Sequence, residues 1–444
     1  MSHLCRLLAF VTLTVLTTAN LTQAQGVVVP PRAPQGLFGG IRPNQTASKR
    51  LDFTVSLIEG YDDDLPNALR PTLDPSNTQP GGFSTGVDAT GAFMWRSPRT
   101  EFGANVSSTL RHFPSAEVQR TTGYSAGLGF SSQLPGRLRL SVNQSSTYSP
   151  TYMYGLFPVD ASIAPGAAPV TSLDYAVAGQ LESYNHVTTA SLRRDFSRRN
   201  SFTATGDYQF TDRIHETITW NDIKSLAARG EYVHNLARNT ALTGGARYRS
   251  GEYGYTGGEG TTTEVGVDFG VDYMRPLSAS RRVTVRFNAG ASRVDLPLPV
   301  TGFTRRIHGT GELSVGYQFA ETWQARANVR RGVEYLVDLP TPVFNDGVSA
   351  GVDGLLSRRV DVAMFVGYSD GTSVNNRDRL QITTYTGTLR GRYAVSRRLA
   401  VYLEYLRYYY RFRGTAPLLV GIPPRWDSSG VRAGLTLWVP TLGR

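Results

Sequence analysis

The chain has 444 residues, a formal net charge of +11 and a mean hydropathy of −0.25. It contains no run of about 18 apolar residues, which excludes a helical membrane protein. Its single cysteine, Cys5, lies in the N-terminal apolar segment, so the mature chain is expected to have no disulfide. The basic residues are spread over turns and alternating segments and form no single patch, so we expect no nucleic-acid partner.

Residues 1–24 have the layout of a secretory signal peptide. A short positive region that includes Arg6 precedes the apolar run Leu7 to Leu16, and small residues follow at Leu21-Thr-Gln-Ala24. Residues 25–49 are rich in proline and glycine and show no periodicity, which is typical of an extended linker. We therefore expect an exported protein whose folded domain comprises residues 50–444.

From Arg50 onward, apolar and polar residues alternate almost to the C-terminus. In the segment 283–290 the odd positions are Val, Val, Phe and Ala, whereas the even positions are Thr, Arg, Asn and Gly. Successive side chains of a β-strand point to opposite faces, so this alternation predicts strands with one apolar face and one polar face.

Eight short turns separate the alternating segments, and five of them are rich in arginine and recur about every 40 residues. They are predicted at residues 96–99, 134–136, 196–200, 236–239, 277–282, 320–321, 356–360 and 395–399. Eight turns between nine hairpins predict about 18 antiparallel strands, within a range of 16–18. An even number of strands places both termini at the same end.

Such strands could form a soluble sandwich or propeller, or a transmembrane barrel. Three features favour an all-β, antiparallel up-and-down barrel. The strands reach the length of about 9–11 residues needed to cross a bilayer. Short turns alternate with long connections, as in barrels with periplasmic turns and extracellular loops. Arginine and acidic residues recur in mid-strand, where a wet lumen tolerates them and a dry core does not.

Aromatic residues cluster near the predicted strand ends. Those close to the short turns are Trp95, Phe102, Phe130, Phe196, Tyr273, Phe319, Trp323 and Tyr393. Those expected at the opposite rim are Tyr208, Tyr248, Tyr368, Tyr405 and the run Tyr408-Tyr409-Tyr410. Two such belts are typical of membrane interfaces, although aromatics also favour strands in general.

On these features the chain resembles bacterial outer-membrane β-barrels of the porin type and, more loosely, the porin-like barrels associated with exopolysaccharide export. The segment 432–439 is similar to the C-terminal assembly signal of such proteins, with Gly434, Leu437 and Val439 at the matching positions. The last strand is predicted to end at Val439, and residues 440–444 extend beyond it.

The resemblance implies an outer-membrane protein of a Gram-negative-type bacterium with both termini in the periplasm. The partners it implies are outer-membrane lipid and lipopolysaccharide, the barrel-assembly machinery, periplasmic export partners, and polar small solutes or polysaccharide. It implies no cofactor.

Charged residues at the polar positions are the candidates for lining the lumen. Glu264, Asp268 and Asp272 follow one predicted strand, with arginines on the strands at either side. The full set of candidates is Arg247, Arg249, Glu264, Asp268, Asp272, Arg282, Arg286, Arg326, Arg330, Arg390 and Arg392. Opposite charges on adjacent strands indicate either a pore wall that selects solutes or ion pairs that hold the wall rigid.

The segment from Ser149 to Val177 is the third long connection and is rich in aromatic and apolar residues. We expect Tyr152, Tyr154 and Phe157 to contribute to a constriction inside the lumen. A loop exposed at the surface is the alternative.

The sequence offers little support for catalysis or for a metal site, because its histidines are scattered and no nucleophile or phosphate-loop motif occurs. His186 and His234 fall on the apolar face, which indicates that the predicted register is wrong near them. The sequence thus predicts a channel or export barrel that passes polar solutes or polysaccharide. The alternatives are a structural or assembly barrel with a plugged lumen and, third, an enzyme on a barrel scaffold.

Overall fold

A computed structural model describes residues 49–63, 81–114, 120–151, 178–213, 223–252, 261–278, 280–298, 302–319, 322–334, 342–374, 380–414 and 424–443. The predicted signal peptide and all of the predicted linker except Lys49 lie outside these residues. No helix in the described part of the chain is long and apolar enough to cross a membrane.

Eighteen strands make up the described structure. In chain order they are β1 (Lys49–Asp62), β2 (Gly82–Arg96), β3 (Thr100–His112), β4 (Arg120–Leu134), β5 (Leu138–Thr151), β6 (Ala178–Asp195), β7 (Asn200–Arg213), β8 (Ile223–Ala237), β9 (Thr240–Glu252), β10 (Thr261–Ser278), β11 (Arg281–Leu298), β12 (Gly302–Phe319), β13 (Gln324–Glu334), β14 (Val343–Ser357), β15 (Val360–Ser373), β16 (Gln381–Ala394), β17 (Leu399–Arg413) and β18 (Arg425–Gly443). Each strand pairs antiparallel with the next, and β18 pairs with β1. The predicted closed antiparallel barrel is therefore confirmed.

The predicted short turns fall between strand ends at one end of the barrel, which we call the turn end; of these positions, residues 279 and 320–321 lie outside the described residues. The opposite end, where the other connections lie, is the loop end. Lys49 and Gly443, the first and last residues of the sheet, both lie at the turn end.

A serine closes several of the arginine-rich turns. Ser197 Oγ accepts hydrogen bonds from the backbone N–H groups of Arg199 and Asn200, and Ser396 Oγ does the same for Arg398 and Leu399. A hydroxyl that binds nearby backbone donors stabilises a tight turn, which explains the recurring Ser-Arg-Arg sequence.

The two faces of the sheet have opposite chemistry. On β10, Val265, Val267 and Phe269 are exposed, with Phe269 at 71% of its maximum, whereas the intervening Glu264 and Asp268 are buried. A closed sheet shields its inner face, so the polar set faces the lumen and the apolar set faces outward. Exposed valine, leucine and phenylalanine recur on the outer face of nearly every strand, which suits contact with lipid.

Outward-facing aromatic residues form belts near both ends of the strands. Trp95, Phe102 and Phe130 lie opposite one another on adjacent strands at the turn end. Nearer the loop end, the rings of Tyr368, Tyr385 and Tyr409 follow one another at centroid distances of 4.9 and 5.4 Å. These rows have the arrangement of interfacial girdles.

The assignment of the whole run 408–410 to the outer rim is wrong. Tyr409 faces outward, but Tyr408 and Tyr410 face the lumen, where they are 2% and 1% exposed. The reason is the alternation itself, since three consecutive strand residues cannot share one face.

The suspected register error near the two histidines is also wrong. His186 and His234 do face outward, opposite Phe210 and Asn200 respectively. Each is accommodated by a polar neighbour, because a ring nitrogen of His186 lies 2.9 Å from Ser146 Oγ and one of His234 lies 2.7 Å from Asn200 Oδ1.

The last strand does not end at Val439, as predicted, but continues to Gly443. The pairing of β18 with β1 shifts between Leu51 and Asp52, which are opposite Leu442 and Pro440. The residue left over is Thr441, whose hydroxyl donates to the carbonyl of Leu51 at 2.9 Å. A bulge of this kind accommodates a proline, which cannot donate to the ladder.

The wall is interrupted at one seam. β12 pairs with β11 along its whole length but with β13 only between Gly311 and Gln318. Toward the loop end, His308 of β12 stacks on Phe344 of β14 at a centroid distance of 4.4 Å. Val294 and Leu296, on the lumen side of β11, meet Val333 and Phe344, on the outward side of β13 and β14, in one apolar cluster that also includes Val374, just beyond β15. The ends of β11 and β12 therefore lap over the outside of β13 and β14.

Residues 287 and 288 face opposite sides of the sheet, so we expect an arginine to destabilise the barrel at one position and to be tolerated at the other. Phe287→Arg places a charge on the outer face and should lower the free energy of unfolding by about 2–4 kcal/mol. Asn288→Arg, the control, faces the lumen opposite Gly270 and Glu312 and should be tolerated. Urea titration of the barrel refolded in lipid vesicles measures both, and equal losses would contradict the assignment of the faces.

Candidate functional site

All of the predicted pore-lining residues lie on the lumen-facing side of their strands. Arg247 and Arg249 lie on β9, Glu264, Asp268 and Asp272 on β10, Arg282 and Arg286 on β11, Arg326 and Arg330 on β13, and Arg390 and Arg392 on β16. The structure places most of these charges next to partners on the wall itself.

Glu264 is the most buried of the acidic candidates, with 1% of its surface exposed. Its Oε1 accepts a hydrogen bond of 2.6 Å from Ser292 Oγ and lies 3.1 Å from Arg247 Nη2. Arg249 is directly opposite Glu264 in the register, but the ion pair with Glu264 comes from Arg247, two residues nearer the turn end. The carboxylate is thus held by two strands at once.

Asp268 has a partner that the sequence does not reveal. Arg229 of β8 reaches across β9 and donates to both oxygens of Asp268 at 3.0 and 2.7 Å, while also lying 2.9 Å from Glu231. The side chain crosses at Gly245, where a Cβ atom would lie 2.9 Å from Arg229 Nη2. Gly245 is the feature of the sequence that could have indicated this ion pair, because any larger residue there would block the path of the Arg229 side chain.

The remaining candidates differ in exposure and pairing. Asp272 and Arg286 are directly opposite and joined at 2.9 Å, with half of the Arg286 side chain exposed. Arg330 lies 3.3 Å from Glu334, and Arg392 is paired with Asp361. Arg390 lies opposite Glu404. Arg282 is exposed opposite Pro276 and forms no ion pair with the described residues.

Another charged pair on the lumen side, between Arg111 and Asp88, is not among the predicted candidates. Arg111 of β3 donates to both oxygens of Asp88 on β2 at 2.7 and 3.0 Å. Arg111 lies over its cross-strand partner Gly86, where a Cβ atom would be 2.6 Å from the guanidinium, and Arg247 lies over Gly266 in the same way. Arg111 and Arg247 therefore lie flat against the wall because a glycine stands opposite each of them.

The lumen wall has a shielded half and an accessible half. Toward the loop end, lumen-facing Thr211, Ser292, Thr384 and Ser428 have no exposed surface. Toward the turn end, the lumen-facing arginines at positions 139, 193, 282 and 286 are exposed. Water thus reaches the wall at these arginines and not at those four residues, but exposure near the turns is not uniform, because lumen-side Ala394, Ala400 and Trp438 are 3%, 1% and 6% exposed.

An apolar stripe lies within the shielded half. It consists of residues of β17 and β18 that follow one another along the lumen side, namely Leu406, Tyr408, Tyr410, Phe412 and Trp426. Tyr410 and Trp426 are neighbours, with ring centroids 5.7 Å apart. Sequence reasoning missed the stripe because it assigned these tyrosines to the outer rim.

The structure describes only some of the other predicted positions. Tyr152, Tyr154 and Phe157 lie outside the described residues, whereas Ser149 to Thr151 belong to β5. Gly434 faces the lumen beneath the ring of Tyr402, and Leu437 and Val439 face outward opposite Val55 and Phe53. Among the described residues, no three His, Cys, Asp or Glu side chains are grouped so that they could hold a metal ion.

No family model matches the sequence, and no curated protein matches it. Solved structures with a similar chain path include OccAB2 of Acinetobacter baumannii, at 8% identity and a TM-score of 0.44, covering 89% of this chain and 98% of that one. OccK2 (OpdF) of Pseudomonas aeruginosa has 5% identity, a TM-score of 0.43 and coverage of 89% and 98%. OpdL of Pseudomonas aeruginosa has 10% identity, a TM-score of 0.41 and coverage of 89% and 99%. The closed sheet of 18 strands and its apolar exterior define a transmembrane β-barrel of the outer-membrane type.

The crossing of Arg229 to Asp268 predicts a large effect of removing one partner. Arg229→Ala should lower the free energy of unfolding by about 3 kcal/mol, because it leaves a shielded carboxylate without its cation. Arg286→Ala, the control, breaks a more exposed pair and should cost less than about 1 kcal/mol.

Urea unfolding of the refolded barrel measures both variants. The double variant Arg229→Ala/Asp268→Ala should cost less than the sum of its two single changes. Additive costs would show that the two side chains do not interact.

Proposed function

We propose that the protein is a solute channel of a bacterial outer membrane. A closed barrel of 18 strands is of the size class that can hold an aqueous channel, whereas eight-stranded barrels are filled by their side chains. Its exterior suits lipid and its interior carries charges, as transport of polar solutes requires. In this orientation the turns and both termini face the periplasm.

The observation that carries the proposal is the accessible, basic wall near the turn end. Arg139, Arg193 and Arg282 are exposed on the lumen side. Arg193 is paired with Asp195 at 2.9 Å, and the exposed acids Asp272 and Glu101 are paired with Arg286 at 2.9 Å and Arg96 at 2.6 Å, so Arg139 and Arg282 carry the surplus positive charge. A wall with surplus guanidinium groups attracts anions and repels cations. We therefore propose that small anionic and polar solutes are favoured.

A barrel with a plugged lumen is the second candidate, and the shielded loop-end half favours it. If that half stays closed, the protein has a structural or assembly role and passes nothing. We propose neither catalysis nor polysaccharide transport. The aromatic rings that could stack on sugars, Tyr408, Tyr410 and Trp426, are at most 4% exposed.

Selectivity can be tested at two adjacent arginines on opposite faces of β11. Arg282→Glu reverses a charge in the accessible lumen and should lower the anion-to-cation permeability ratio by about twofold or more. Arg281→Glu reverses an exposed charge on the outer face, opposite Phe319, and should leave the ratio unchanged. Reversal potentials in planar bilayers under a salt gradient give both values.

The same recordings distinguish the two candidate functions. An open channel gives ohmic current steps, whereas a plugged barrel that is correctly folded gives none. Folding is checked independently by the faster migration of the unheated barrel on a denaturing gel.

The sequence predicts that the segment from Ser149 to Val177 narrows the lumen, and this constriction is part of the proposal. Deleting residues 152–177 should raise the single-channel conductance and admit larger sugars in liposome swelling, because β5 and β6 keep their own pairing. Unchanged conductance and unchanged size exclusion would assign Tyr152, Tyr154 and Phe157 to a position outside the lumen.

A further inference from the structure

Two arginines face each other on the outer surface at the loop end of β17 and β18. Arg411 and Arg425 are direct cross-strand partners, and both lie on the outward face, like the pair Tyr409 and Asp427 two residues away along the strands. Both are exposed, Arg425 with 64% of its side chain accessible. Like charges directly opposite each other destabilise a sheet, so this pair needs a compensating anion.

The described neighbours do not supply enough negative charge. Arg407 and Arg413 are also exposed on the outward face of β17, which makes four guanidinium groups with the facing pair. Two described acids lie near them: Asp427 is 2.5 Å from Arg407 and 3.7 Å from Arg425, and Asp63, just after β1, accepts a hydrogen bond of 2.7 Å from the backbone N–H of Ser429. Asp370, two strands from β17, accepts hydrogen bonds from Gln381 and Thr383. The surface of β17 and β18 therefore carries a local positive excess.

The loop end of β11 and β12 shows a balanced arrangement for comparison. There Arg293 and Arg305 are exposed on the outward face, but Asp295 lies 3.0 Å from each of them. Asp295 is directly opposite Arg305 in the register, so unlike charges face each other. The facing arginines of β17 and β18 are thus not a general property of the rim.

The height of the pair relative to the aromatic row indicates the partner. Tyr368, Tyr385 and Tyr409 form the outward girdle at this end, and the guanidinium carbon of Arg425 lies 5.6 Å from the Tyr409 ring centroid. Arg411 lies two residues beyond Tyr409, or about 7 Å farther toward the loop end. Girdle aromatics sit at headgroup level, so the arginines lie where lipid phosphate groups are found.

We propose that Arg407, Arg411 and Arg425 bind a phosphate group of an outer-leaflet phosphorylated glycolipid, of the lipopolysaccharide type. Guanidinium groups bind phosphate through paired hydrogen bonds, and two facing arginines can hold one phosphate between them. Tyr405 and Tyr409 provide the apolar surface beneath, against which the acyl chains pack. The site rests on the proposed orientation, in which the loop end faces the cell exterior, but it does not depend on what the lumen conducts.

The test compares two pairs of serine substitutions in the full chain refolded in detergent micelles. Binding of lipopolysaccharide to Arg411→Ser/Arg425→Ser should be about tenfold weaker than to the unmodified protein, because the bidentate phosphate contacts are lost. Arg293→Ser/Arg305→Ser, the control pair from the balanced rim, should bind within about twofold of the unmodified protein. Native mass spectrometry of lipid-bound barrels gives the affinities.

Two further ligands identify the group that is recognised. Enzymatically dephosphorylated lipopolysaccharide should bind the unmodified protein as weakly as intact lipopolysaccharide binds the serine pair. Inorganic phosphate should displace lipopolysaccharide from the unmodified protein only at concentrations far above that of the lipid. Equal affinity for the dephosphorylated lipid, or equal loss in both serine pairs, would overturn the proposal. Tight binding of inorganic phosphate alone would also overturn it, since the lipid would then not be the source.

Folding is controlled by gel migration of unheated samples. If the serine pair does not fold, Arg411→Lys/Arg425→Lys keeps both charges without the planar donor geometry and should weaken binding about threefold. Unchanged affinity of the lysine pair would count against bidentate phosphate recognition.

Discussion

The closed hydrogen-bond ladder is the constraint on which the rest of this structure depends. In a bilayer, every backbone N–H and C=O group needs a partner within the protein, and a sheet meets that need only when its last strand pairs with its first. Here β18 pairs with β1 from Asp62 to Arg50, with one bulge near Pro440. Closure in turn forces each strand to present one face to lipid and one to the lumen.

That alternation also explains how so many charges fit inside. Arg111, Arg229 and Arg247 each extend over a glycine on a neighbouring strand and reach a carboxylate along the wall. Ion pairs of this kind neutralise most of the charged wall, so on the proposed function its selectivity would depend on the few accessible charges left near the turn end. Arg139 and Arg282 belong to that small set, because they form no ion pair with the described residues.

Two places depart from a uniform wall, and both lie toward the loop end. The ladder between β12 and β13 stops at Gly311, and apolar residues around Phe344 bridge the seam. The lumen-facing residues of that half are shielded from water. On the proposed function, passage of solutes through the loop-end half would require a change there, whereas Arg139, Arg193, Arg282 and Arg286 near the turn end are already exposed.

The sequence by itself determined the class of fold, the eight short turns, and the face of every charged candidate from Arg247 to Arg392. These follow from a period of two residues, which is a local property of a strand. It did not determine which charges pair, because Arg229 meets Asp268 across β9 through Gly245. Nor did it place Tyr408 and Tyr410 in the lumen, lap β12 over β13, or bring Arg411 opposite Arg425. Those features depend on register and on contacts between strands, which only the tertiary structure decides.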